Sequence, residues 1–144
     1  MKRVITLIIV FTIALASVCW ADGITGTWEL DHSGMIAPDA SPEEIEEANK
    51  ALNEMDSTPT YITARSDGAM VYTFVMENFN DCRIGEWYKY APNKYVFMYS
   101  FSTLTGTEDQ RIYYMEINDG VLEFTISQEK DVKVIYYLNK VEEE

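Results

Sequence analysis

The sequence predicts an all-β fold: an eight-stranded antiparallel up-and-down barrel with one helix between the first and second strands. Three observations carry this expectation. Short runs of two-residue periodicity recur along the chain, turn residues separate them at regular intervals, and one early stretch switches to helical spacing behind a proline. Eight sequential strands joined by tight turns favour a meander, and closing it removes the exposed edges that invite aggregation. Strand count alone leaves a two-sheet sandwich open as the alternative.

The first strand is read from Ile24 to Asp31, with Ile24, Gly26, Trp28 and Leu30 on one face and Thr25, Thr27, Glu29 and Asp31 on the other. Gly34, Pro38 and Pro42 are expected to break its continuation. Ser41-Pro42-Glu43-Glu44 is a capping box with proline at the first helical position, so a helix is expected to start there. Ile45, Ala48, Leu52 and Met55 then recur as one narrow apolar stripe, with Glu43, Glu44, Glu46, Glu47 and Asn49 off it, until Pro59 stops the run.

Strands are expected at 60–65 and 69–77 around the hairpin signal Ser66-Asp67-Gly68, at 82–90 after Asn78-Phe79-Asn80-Asp81, and at 94–102 after Ala91-Pro92-Asn93. A polar connection, Thr103 to Asp109, precedes strands at 110–117 and 120–127 around Asn118-Asp119-Gly120, and a last strand at 132–141. Leu122, Phe124 and Ile126 alternate with Glu123, Thr125 and Ser127, a plain inside–outside pattern. Met70 to Met76, Tyr95 to Phe101 and Ile112 to Ile117 are apolar on both faces. The helix is the expected cover for those outer faces, and a homodimer through the aromatic outer patch is the other candidate.

Lys2 and Arg3 followed by the apolar stretch Val4 to Ala16 read as a secretory signal, too short to span a membrane without running on to Ala21. Cleavage after Ala21 is favoured over cleavage after Ala16, giving a signal peptide at 1–21 and one barrel domain at 22–144. A secreted or periplasmic location follows, with no integral membrane segment after cleavage. Lipidation at Cys19, which would make an outer-membrane or surface lipoprotein, is the weaker alternative.

The whole chain carries 11 basic and 24 acidic residues, a net charge of −13, and removing residues 1–21 leaves nine basic against 24, or −15. Such a surface repels phosphate backbones, which argues against nucleic acid and anionic membrane as partners. Only Cys19 and Cys82 occur, so the core must hold the fold; a Cys19–Cys82 bridge is open only if cleavage falls after Ala16.

Ile24-Thr25-Gly26-Thr27-Trp28-Glu29-Leu30 resembles the Gly-x-Trp first strand of lipocalins and related calycin-type barrels. Ile62 to Gly68, with its Asp-Gly turn, and Gly85-Glu86-Trp87 are similar to segments of the small bacterial lipocalin-like domains. The resemblance implies a barrel closed at one end by Trp28. Two features depart from it: no arginine follows Arg111 to pack over that tryptophan, and the helix sits after the first strand instead of the last. Tyr136 and Tyr137 lack the arginine of a fatty-acid carboxylate clamp, so a fatty-acid function does not carry over.

Enzymatic chemistry finds little support. His32 is the sole histidine, in a loop where solvation is its ordinary role, and Cys82 has no histidine near it in sequence and is expected to behave as a small apolar residue. The chain shows no His/Cys zinc cluster, calcium loop or phosphate-binding glycine loop, and no cofactor is expected. The expected function is therefore an exported, non-enzymatic binding module for a small apolar or aromatic ligand. Its barrel interior would be lined by Trp28, Ile62, Ala64, Tyr95, Phe97, Leu122, Phe124, Val134 and Tyr136, with Ala64 enlarging any cavity. A filled barrel with a structural or protein-interaction role is the alternative.

Overall fold

The computed structural model describes residues 23–55, 59–76 and 79–142; the expected export segment, Cys19 included, lies outside them. Eight strands, β1 (Gly26–Ile36), β2 (Thr60–Ala64), β3 (Ala69–Met76), β4 (Phe79–Ala91), β5 (Lys94–Ser102), β6 (Glu108–Asn118), β7 (Val121–Glu129) and β8 (Val132–Lys140), and one helix, α1 (Pro42–Met55), follow one another along the chain. Each strand pairs antiparallel with its sequence neighbours and β8 pairs with β1, which closes the sheet into the expected up-and-down barrel and excludes a sandwich.

The turns explain the register. Asp119 and Gly120 both take positive φ between Asn118 and Val121, the two-residue hairpin that matches the right-handed twist of its strands. Pro92-Asn93, with Asn93 at φ 58°, joins β4 to β5, and Gly68 at φ 90° closes the β2–β3 turn. At the helix start the Ser41 N–H donates to Glu44 Oε2 at 2.8 Å and the Glu44 N–H donates to Ser41 Oγ at 3.3 Å. That reciprocal pair is the capping box, and it holds the Glu44 carboxyl below its ordinary range.

The first strand departs from expectation. Gly34 does not end it; β1 runs on to Ile36, paired throughout with β8, and a register shift between Leu30 and His32 marks a bulge. A Cβ at Gly34 would lie 2.9 Å from the Tyr137 ring, so glycine is kept there for close packing within the sheet. β4 also starts earlier than expected: Phe79 and Asn80, expected in a turn, pair with Met76 and Val75.

The helix is where expected but docks differently. β2 pairs with β1 only from Gly26↔Ala64 to Glu29↔Tyr61, so the farther half of β1 faces no strand on that side. There Asn53 Oδ1 accepts from the Ser33 N–H at 2.7 Å, Asn53 Nδ2 donates to the Ser33 carbonyl at 3.1 Å, and Asn49 Oδ1 accepts from the Met35 N–H at 2.7 Å. Two carboxamides thus take the place of a strand's peptide groups. Asn49, read as lying off the docking stripe, is part of the dock, while Ile45, Ala48 and Leu52 are half-buried beside it. Because α1 packs on β1, it does not cover the outer faces of β3, β5 and β6.

The core is aromatic. Trp28, Tyr72, Tyr95, Phe97, Tyr99, Tyr113 and Phe124 bury their rings together with Ile62, Met70 and Leu122. One barrel end is closed by Trp28, whose Nε1 donates to the Ile24 carbonyl at 2.8 Å. Lys140 Nζ stands 5.4 Å from the Trp28 ring centroid, a cation–π contact. Trp87 ties the same end together, its Nε1 donating to the Arg65 carbonyl at 2.8 Å.

Candidate functional site

The barrel wall is not uniform. β4 pairs with β3 from Phe79↔Met76 to Glu86↔Ala69, and with β5 only from Glu86↔Met98 to Ala91↔Lys94. β6 pairs with β7 only from Tyr114↔Thr125 onward. The far part of the β5–β6 hairpin, residues 99–113, therefore stands away from both neighbours at the end opposite Trp28. Gly85 marks the start of the first split: a Cβ there would lie 2.0 Å from the Met98 carbonyl oxygen, so the two backbones touch where no side chain intervenes. Beyond that contact Arg83 and Tyr99 carry large side chains and the strands part.

A cleft of about 370 Å3 occupies this split, lined by Cys82, Arg83 and Ile84 of β4, Tyr99, Ser100 and Phe101 of β5, and Arg111 of β6. Arg83 reaches inward. Its Nη1 donates to the Tyr99 hydroxyl at 2.5 Å and lies 3.4 Å from that of Tyr113, and its guanidinium carbon sits 5.2 Å from the Tyr99 ring centroid and 5.4 Å from that of Phe74. Arg111 lies over the Phe101 ring at 5.5 Å. Tyr99 stacks on Tyr113 at 5.9 Å and on Phe97 at 5.7 Å, so the cleft's aromatic floor continues into the barrel core.

Burial raises the Tyr99 phenol above its ordinary value and its interaction with Tyr113 adds to that, while Arg83 and Arg111 pull in the opposite direction. The Tyr99 phenol therefore stays protonated at neutral pH. Arg83 donates to both oxygens, and the Tyr99 and Tyr113 hydroxyls are hydrogen-bonded to each other. The site offers aromatic faces and the guanidinium donors of Arg83 and Arg111.

The residues expected to line a ligand cavity are placed as follows. Trp28, Ile62, Ala64, Tyr95, Phe97, Leu122 and Phe124 are all buried in one packed cluster, and Tyr136 is half-buried against it. None of them lines the β4–β5 cleft; Phe97 comes nearest, through its stack on Tyr99. Apart from Cys82, weighed as a nucleophile and set aside, the cleft residues were not singled out as site candidates by sequence. One signal was present, since Arg83, Tyr99, Arg111 and Tyr113 share the inward alternation phase of their strands with Trp87, Phe97 and Met115.

His32 lies on β1 instead of in a loop, its Nδ1–H donating to Asp31 Oδ2 at 2.7 Å and its ring stacked on Tyr137 at 4.7 Å, and more than half of its side chain is exposed. Cys82, expected to behave as a small apolar residue, is exposed on β4 at the cleft rim. Among the described residues no three His, Cys, Asp or Glu side chains converge as a metal site, and no helix is long and apolar enough to cross a membrane. The outer wall of β4 and β6 exposes Ile84, Tyr88, Tyr90, Ile112 and Tyr114. Compared with protein-family models and with curated proteins, the chain matches none.

Proposed function

We propose that this chain is an exported, non-enzymatic binding barrel of lipocalin-like descent that takes a small apolar or aromatic ligand in the cleft between β4 and β5. The observation that carries the proposal is the split itself: a cleft of about 370 Å3 whose floor is the Tyr99–Phe101 edge of the aromatic core. Ligand sites begin at roughly 300 Å3 and combine apolar walls with a few placed polar groups. Descent is supported by Gly26-Thr27-Trp28 and by the cation over the tryptophan, export by the apolar segment at 1–21, and the exclusion of nucleic acid by the charge of −13.

A neutral fluorescent probe, N-phenyl-1-naphthylamine, tests the site. It is expected to bind the folded chain at about one to one, and Ser100→Trp, which fills the cleft from an exposed position, is expected to abolish binding while leaving the melting curve in place. Absence of binding by the folded parent, or binding indifferent to Ser100→Trp, would refute the assignment.

A second proposal rests on a separate observation, the exposed side chains of Ile84, Tyr88, Tyr90, Ile112 and Tyr114. In it the filled barrel meets a protein partner, in the simplest case a second copy, through this outer wall. Sedimentation equilibrium at tens of micromolar separates the two proposals: a monomer leaves the cleft as the functional surface, and a dimer weakened by Tyr114→Lys supports the outer wall.

A further inference from the structure

Resting on the proposal of a ligand in the β4–β5 cleft, we infer that this ligand is an anion, specifically an aromatic carboxylate, whose head group is held by Arg111. The distribution of cations carries the argument. The chain has four arginines, Arg3, Arg65, Arg83 and Arg111, in a protein of net charge −13, and two of the four line this one cleft. A wall meant for neutral apolar ligands has no use for two guanidinium groups, and desolvating that of Arg83 partly behind aromatic rings costs free energy.

The two arginines do different things. Arg83 is committed inward, to the Tyr99 and Tyr113 hydroxyls and the Phe74 ring. By donating to both phenol oxygens, which are also hydrogen-bonded to each other, it fixes the rings of the cleft floor. Arg83 is thus a positioning residue. Arg111 is exposed, its guanidinium carbon lies 5.5 Å from the Phe101 ring centroid in a cation–π contact, and among the described residues it makes no ion pair. Glu108 and Asp109 precede it on β6, and Asp109 Oδ1 accepts from the Gln110 N–H instead.

A planar fork of donors matches a carboxylate in two-point geometry, and the Phe101 and Tyr99 rings, adjacent at 5.8 Å on β5, offer apolar surface to a flat aromatic body. Long-range attraction cannot deliver such a ligand, because the net charge repels it. At physiological salt, however, distant charges are screened within about 8 Å, so the arginines at the cleft dominate once the ligand arrives.

Isothermal titration of the folded chain with 2-naphthoate and with its neutral isostere 2-naphthamide, repeated for Arg111→Gln, tests this. The expected result is that naphthoate binds the parent at least about tenfold more tightly than naphthamide, the loss of one charge-assisted hydrogen-bond set. Arg111→Gln is expected to erase that difference by weakening naphthoate alone, and Arg111→Lys to restore part of it. If both ligands bind equally and Arg111→Gln changes neither, the anionic head group is refuted while the cleft as a ligand site stands. If neither binds the folded parent and the neutral amine probe also fails, the cleft itself is refuted and the head group with it. Decanoate in a third arm separates body shapes: binding tighter than naphthoate would overturn the aromatic assignment.

Discussion

Replacing Asn49 and Asn53 together by alanine gives the sharpest test of how the helix is held, because propensity and docking predict opposite signs. Alanine is the best helix former, and each asparagine-to-alanine change within a 14-residue helix should stabilise it by about 0.6 kcal/mol, roughly 1.2 kcal/mol for the pair. Against that stand three hydrogen bonds to β1, two at Ser33 and one at Met35. Each contributes a net ~1 kcal/mol, and Ser33, only 2% exposed, has poor access to replacement water. The balance is a net loss of about 2 kcal/mol. Urea unfolding should show a lower midpoint at unchanged slope, and amide exchange at Ser33 and Met35 should accelerate beyond that of the rest of β1. A double variant as stable as the parent, or more stable, would refute the claim that the carboxamides dock the helix and return that role to Ile45, Ala48 and Leu52.

Gly85→Ala forces a Cβ to within 2.0 Å of the Met98 carbonyl oxygen, a backbone atom that cannot swing aside, and should cost about 3 kcal/mol or more. Gly120→Ala, at φ 81° but in open space, should cost only about 1–2 kcal/mol, so thermal melts of the two should differ in that order. Trp28→Ala should destabilise by about 3–5 kcal/mol by denaturant titration, the usual range for removing a buried large aromatic. At alkaline pH the raised phenols of Tyr99 and Tyr137, both shifted chiefly by burial, should weaken the fold. A phenol whose folded pKa lies above its unfolded value of ~10 contributes stability that is complete below pH ~10 and is lost as pH rises through the folded value. Unfolding midpoints measured from pH 8 to 12 should therefore fall above pH ~10, and less steeply in Tyr99→Phe.

The local elements were legible because each had a local cause. Asp119-Gly120 demands positive φ whatever surrounds it, Ser41 and Glu44 cap a helix from three residues apart, and Leu122-Glu123-Phe124 states its own inside and outside. The end of β1 was less legible. Gly34 looks like a breaker in sequence, yet Tyr137, about a hundred residues later, packs where its side chain would be. Lys140 over Trp28 was hidden for the same reason: that pair is set by β1–β8 closure.

What the sequence by itself determined, then, is the strand count, the meander order, the helix and the aromatic character of the interior, since periodicity, turn chemistry and capping act over a few residues. Tertiary structure alone decided which backbone groups went without a strand partner. The half of β1 that β2 does not reach is completed by Asn49 and Asn53, and the β4–β5 split beyond Gly85 brings Arg83 and Arg111 to one cleft. Both depend on where neighbouring strands diverge as the sheet closes, a property of the whole barrel that no short window of residues encodes.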